Sequence, residues 1–275
     1  MTNAIKKPVR TAPPVFMNAE RPLEILMIGA GGNGSELFDG LVRLHSALTT
    51  LGGKGLNVTV MDDDEVSPSN IVRQRFWPHE VGVNKAIALV QRSNLMMGTN
   101  WRGLPMRFKG DEIKSHADLV ITAVDNLEAR RDAVNRFSPT PRNTDSNMGH
   151  YVHPSMSRRN ETFWLDLGVD KDQGQVVFGR FGDNCVSDEW PCALAHFPEM
   201  ADREDDNKPS CSAAESLARQ DLMINHAVSG HAINILWKLM RESKLAFNGV
   251  MIDLSSGYSQ GIPFLPTNSE KTGEQ

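Results

Sequence analysis

Glu24–Ser35 reads EILMIGAGGNGS and Val58–Gln74 reads VTVMDDDEVSPSNIVRQ, and the fold is read outward from this pair of segments. Ile25–Ile28 is a short β-prone run, and Gly29, Gly31, Gly32 and Gly34 follow at once. The chain must therefore turn tightly there and can bring bare backbone close to a ligand. A strand, a turn and a helix N-terminus are expected. Backbone N–H groups at such a terminus have no internal partner and carry partial positive charge, which suits a phosphate. Asp62 closes the second apolar run, Leu56 to Asp62, where a carboxylate reaches ribose hydroxyls.

The glycines by themselves also suit a helix packed closely on a strand, so the residues after Asp62 decide between readings. Asp64, Ser69-Asn70, Arg73-Gln74 and Lys85 in GVNKA follow in order. A nicotinamide-dependent oxidoreductase, the rival enzyme reading, explains the glycines and Asp62 but leaves these residues idle. Cations just downstream of a phosphate turn suit charge developing on a reacting phosphate. The same charges argue against a non-catalytic nucleotide-binding adaptor, since binding alone does not require all of them.

GAGGNG, DDDEVSPSNIVRQ, GVNKA and AVDN, in that order, resemble the signature of the ubiquitin-activating-enzyme-like superfamily of the ThiF/MoeB type, and the resemblance runs from about Leu23 to Phe264. WLDLGVDKDQGQVVFGRF and PSCSAAESLARQDLMIN are most similar to the ThiF-related proteins of bacterial PRTRC cassettes. The resemblance implies ATP-dependent adenylation of the C-terminal carboxylate of a small ubiquitin-like (β-grasp) or sulfur-carrier protein, by a homodimer. It implies that Gly29, Gly31, Gly32 and Gly34 admit the phosphates and that Asp62 holds the ribose. Arg73 and Lys85 would neutralise the α-phosphate, and Asp125 would hold Mg²⁺. Asn70, Gln74 and Asn126 would fix the nucleotide's orientation. Asp64 has two readings, as a nucleotide or metal contact or as a cap of the turn that delivers Arg73. Cys211 matches the superfamily's catalytic cysteine, and its place just before a predicted helix start favours the thiolate; a buried inert cysteine is the alternative.

Bulk properties agree with an ordinary globular protein: 275 residues, 40% hydrophobic and 23% charged, with a net charge of -5. That charge argues against a nucleic-acid partner. No apolar run reaches the roughly 18 residues of a membrane span, and MTNAIKKPVRTAPP lacks the apolar core of a signal peptide, so a cytoplasmic protein with no membrane partner is expected. Three cysteines at irregular spacing make no disulfide framework. Zinc is not expected either. The chain has no CxxC, and Cys185, Cys192, His196 and Cys211 are spaced unlike common zinc ligands.

Residues 1–20 read as a flexible N-terminal arm, 21–265 as the adenylation domain, and 266–275 as a disordered tail. The family's arm can carry an arginine to the partner subunit's nucleotide, but the usual segment is missing here. Helices are expected from Gly34 to Thr50, Val81 to Met97 and Leu127 to Phe137, with strands at WRGLPMRF and Leu119–Val124, which ends at Asp125-Asn126. This alternation implies a Rossmann-like α/β fold with a mostly parallel sheet. Ser138–Asn160 reads as an insertion. Trp164–Gly168 and Gln175–Phe181 flank KDQG at hairpin spacing, so antiparallel strands should extend the sheet, and GVMIDLSSGYSQGIPF should add a second hairpin. About 182–211 reads as an irregular crossover loop. Ser212 and Glu215 form a capping box opening a long helix through Leu217, Ile224, Val228, Ile235 and Leu239.

Overall fold

The computed structural model describes residues 8–18, 20–110, 116–138, 161–182, 189–200, 214 and 220–266. In chain order the elements are β1 (Arg10–Thr11), α1 (Pro14–Met17), β2 (Leu23–Ile28), α2 (Gly32–Thr50), β3 (Leu56–Met61), α3 (Lys85–Met97), β4 (Arg102–Leu104), β5 (Leu119–Thr122) and α4 (Leu127–Phe137). They continue with β6 (Phe163–Val169), β7 (Gln173–Arg180), α5 (Ala193–His196), α6 (Ile224–Trp237), β8 (Lys244–Leu245), β9 (Gly249–Asp253) and β10 (Tyr258–Ile262).

Eight strands form one sheet in the order β10-β9-β7-β6-β5-β2-β3-β4. The run β6-β5-β2-β3-β4 is parallel, and β7, β9 and β10 extend it antiparallel. This is the expected mixed α/β sheet. Each central strand is buried on both faces because helices cover both. Ile25 and Met27 of β2 join one core with Leu37, Leu41, Leu89, Val228 and Ile235. Leu26 and Ile28, pointing the other way, join a second core with Val120, Ala129 and Ala133. Thus α2, α3 and α6 lie on one side and α4 on the other.

Several boundaries differ from the sequence reading for local reasons. α3 begins at Lys85 rather than Val81, because Asn84 takes the N-cap and accepts the Ile87 N–H at 3.1 Å. The capping box at Ser212 and Glu215 lies outside the described residues, as does Leu217. The described helix α6 starts only at Ile224, after a turn in which Asp221 Oδ1 accepts the Met223 N–H at 2.8 Å. Within the segment expected as an arm, β1 pairs with β8, and Phe16 is buried against Phe163 and Phe178. The crossover region is described at 189–200, where it forms α5 and a short 3₁₀ turn at Pro198–Met200.

Candidate active site

β5, β2 and β3 are neighbours in the sheet, and their carboxyl ends deliver Asp125, the glycine loop and Asp62 to one edge. Gly29 takes φ +95°, and a Cβ there would come within 2.7 Å of the Ala123 carbonyl. Only glycine suits that position. Gly34 is more constrained, since a Cβ would lie 2.1 Å from the Gly29 carbonyl. The loop therefore folds back onto the first turn of α2. Gly31, the N-cap, offers no side-chain cap to the helix N–H groups, and a Cβ on it would meet nothing within 4 Å. Donors and open space thus coincide at Gly31, which is what an anion needs.

Asp62 is fixed by the same loop. Its Oδ2 accepts the Ala30 N–H at 2.6 Å and its Oδ1 the Asp64 N–H at 2.9 Å. Burial raises the Asp62 pKa above the ordinary carboxylate value, with the Lys85 charge and the two N–H donors acting against it. Lys85 is buried, and its Nζ lies 2.7 Å from Asp64 Oδ2. Asp64 is therefore the residue that holds Lys85, a role outside both readings made from sequence. Asn84 stitches the pair together, its Nδ2 donating to the carbonyls of Asp62 at 2.8 Å and Asp64 at 3.0 Å.

Arg73 reaches the site from the segment between β3 and α3. Burial lowers its pKa, and the charge of Asp125 partly opposes that shift. Its Nη1 donates to Gln220 Oε1. Asn70 shapes the turn below it: Oδ1 accepts the Ser67 N–H at 2.9 Å, and its carbonyl accepts from Arg73 and Gln74. Asn126 is likewise occupied, its Oδ1 capping α4 through the Ala129 N–H at 2.9 Å. Gln74 differs, because its Oε1 is buried with no hydrogen-bond partner. Asp125 itself is exposed.

Three features escaped sequence reasoning. Arg130 and Asp166 form a buried ion pair at 2.7 Å behind Asp125, and Arg130 Nη1 donates to the Asn126 carbonyl at 3.2 Å. Gln220 partners Arg73. Asn225 at the start of α6 is 1% exposed, and neither of its amide atoms has a hydrogen-bond partner among the described residues. None of the three carried a local signal, unlike Asn84, an N-cap type directly before a helical run.

Cys211 lies outside the described residues. Cys192 is disulfide-bonded. His196 Nε2 lies 2.8 Å from Asn248 Oδ1. Among the described residues, Asp62, Asp63 and Asp64 are grouped with carboxylate oxygens within 4.8 Å of one another. No described helix is long and apolar enough to cross a membrane.

Comparison with known proteins gives the same architecture. PaaA shares the fold with a TM-score of 0.59 at 15% identity, over 92% of this chain and 68% of that chain. E. coli MccB crystallised with ATP matches with a TM-score of 0.54 at 13% identity, over 93% of this chain and 66% of that chain. The complex of E. coli MccB with AMPCPP and MccA matches with a TM-score of 0.56 at 12% identity, over 93% of this chain and 68% of that chain. At these identities the likeness is one of fold. The Homo sapiens ubiquitin-like modifier-activating enzyme 6 is 26% identical over 195 residues, 65% of this chain but only 17% of that much longer protein. The ThiF family model matches residues 14–270, nearly the whole fold described above, and the chain belongs to the ThiF family.

Proposed function

We propose that this protein is an ATP-dependent adenylyltransferase that activates the C-terminal carboxylate of a small ubiquitin-like or sulfur-carrier partner protein. One arrangement carries the reading: the carboxyl ends of β3, β2 and β5 lie side by side, with Asp62 next to Lys85, the uncapped N-terminus of α2, and Asp125 next to Arg73. A carboxylate oxygen of the partner attacks the α-phosphorus, pyrophosphate leaves, and an acyl-adenylate forms. Asp62, already pinned by Ala30 and Asp64, holds the ribose. Lys85 and Arg73 bring positive charge to the α-phosphate as negative charge builds on its oxygens. The match to MccB crystallised with ATP and with AMPCPP plus MccA supports a nucleotide and a peptide-like partner.

The residues present suit Mg²⁺, since Asp125 is an exposed carboxylate of the hard oxygen type that this ion takes. When bound, the ion would neutralise charge on the departing pyrophosphate. Asp125 would hold it, beside Arg73.

ATP:pyrophosphate exchange in the presence of a small β-grasp partner with a free C-terminus tests the reading. Lys85→Ala and Asp125→Ala are each expected to lower the exchange rate at least about a hundredfold. Exchange that is unaffected by these substitutions, or that proceeds equally well with a C-terminally amidated partner, would count against it.

A further inference from the structure

We propose that Asn225 is a further nucleotide ligand, whose amide donates to the outer phosphates of the triphosphate seated on the first turn of α2. This deepens the adenylation reading and rests on it.

Two independent features meet at this point. α2 is a 19-residue helix with no side-chain cap at its N-terminus, so its first N–H groups await an acceptor. Asn225 is packed against that same turn: a Cβ on Gly32 would come within 2.7 Å of Asn225 Nδ2 and 2.9 Å of its Oδ1. The side chain is 1% exposed, and both amide atoms lack a hydrogen-bond partner. A buried amide that makes no hydrogen bond is unfavourable, and an apolar side chain of similar volume would fill the same space without that penalty. Such a group is accounted for when a ligand supplies what the protein does not.

The amide is also held in place. Ser229, one turn further along α6, donates to the Asn33 carbonyl at 3.1 Å and locks α6 onto the first turn of α2. Gly32 completes the arrangement, because any side chain there would displace the Asn225 amide.

Position along the loop assigns the phosphate. Asp62 and Lys85 belong to the β3 side of the glycine loop, while α6 packs on the core shared with β6 and β7. A nucleotide with its ribose at Asp62 runs its phosphates away from β3 and brings the terminal ones toward Asn225. An amide N–H is a suitable donor there, since hydrogen bonds to charged oxygens are stronger than neutral ones. Arg73 and Lys85 then serve the α-phosphate, and Asn225 the group that departs.

Binding of ATP, AMP and adenosine to the wild-type chain, Asn225→Ala and Asn225→Asp provides the test, with urea midpoints recorded alongside. Asn225→Ala is expected to weaken ATP about tenfold or more, the worth of one hydrogen bond to a charged group, with AMP and adenosine unchanged within about twofold. Asn225→Asp keeps the shape and adds a negative charge, so ATP should weaken further and adenosine should not. Asn225→Leu, which fills the same space without an unpaired polar group, answers the question should these variants fail to fold. If the wild type binds ATP and the variants weaken all three ligands in parallel, or none, Asn225 only packs and the proposal is wrong. If the wild type binds no adenine nucleotide, the adenylation reading falls and this proposal with it.

Discussion

Gly31 and Gly34 stand three residues apart and have opposite consequences for substitution. A methyl group at Gly34 would sit on the Gly29 carbonyl, whereas one at Gly31 would project into open space. Gly34→Ala is therefore expected to abolish or severely reduce folding, while Gly31→Ala keeps the thermal midpoint near the wild-type value and lowers ATP affinity by filling ligand space. Calorimetry and ATP titration on both variants check this. At the opposite end of the sheet, Asp118 accepts two hydrogen bonds from Arg21, at 2.6 and 2.8 Å, and one from the Glu24 N–H at 2.9 Å. Burial pushes the Asp118 pKa up, but Arg21, the Glu24 N–H and His116 outweigh it and hold the carboxyl below its ordinary value. As pH falls, the unfolded chain therefore takes up this proton before the folded one. The stabilisation is complete above about pH 4 and is lost as pH drops through the folded value. Arg21→Ala should be less stable than wild type by about 1–2 kcal/mol at neutral pH, with the gap closing below pH 4 in urea titrations. A gap that stays constant with pH would show that the ion pair is not its cause. Asp62, Arg73, Lys85 and Asp125 stand out in the sequence as candidates because charge type and spacing survive in the one-dimensional string. Asn225 and Gln220 do not, since an amide in an apolar or irregular stretch gives no sign of what it faces.

The segment between β3 and α3 has no regular structure of its own at Arg73, so neighbouring elements must hold it. The Arg75 N–H donates to Ser35 Oγ of α2 at 3.0 Å, and its side chain lies 3.2 Å from Asp39. Arg92 of α3 donates to both oxygens of buried Glu80, at 3.1 and 3.2 Å, and to the Arg75 carbonyl at 2.9 Å. Removing that guanidinium leaves a buried carboxylate with only the Trp77 N–H, at 2.8 Å, among the described residues. Arg92→Ala should destabilise the fold by about 3 kcal/mol in urea unfolding, whereas Arg92→Lys should recover part of the loss. A change below about 0.5 kcal/mol, the range of ordinary surface substitutions, would contradict this role. Helix and strand identities were readable from periodicity, but their ends were not. α3 starts at the residue that Asn84 caps, and apolar periodicity alone extended it back to Val81. The role of Asp64 was similarly hidden, because its partner Lys85 lies 21 positions away in sequence and is brought to it by backbone pairing and by Asn84.

Across the whole molecule, strand order places the candidate groups together: β5, β2 and β3 are adjacent although their sequence positions span about a hundred residues. That parallel order was legible, since strands alternating with helices leave few other arrangements. The packing of β1 and α1 onto the main body was not, because a two-residue strand and a four-residue helix are too short to show a period. Central to the proposed adenylation is the path of one oxygen atom from a partner's C-terminus to the α-phosphorus of ATP. A partner protein carrying ¹⁸O in both C-terminal carboxylate oxygens, turned over with ATP and Mg²⁺, follows that atom directly. One ¹⁸O should appear in each AMP released once the acyl group has been transferred or hydrolysed. Label recovered in inorganic phosphate with ADP as the product, or unlabelled AMP, would contradict attack of the carboxylate at the α-phosphorus.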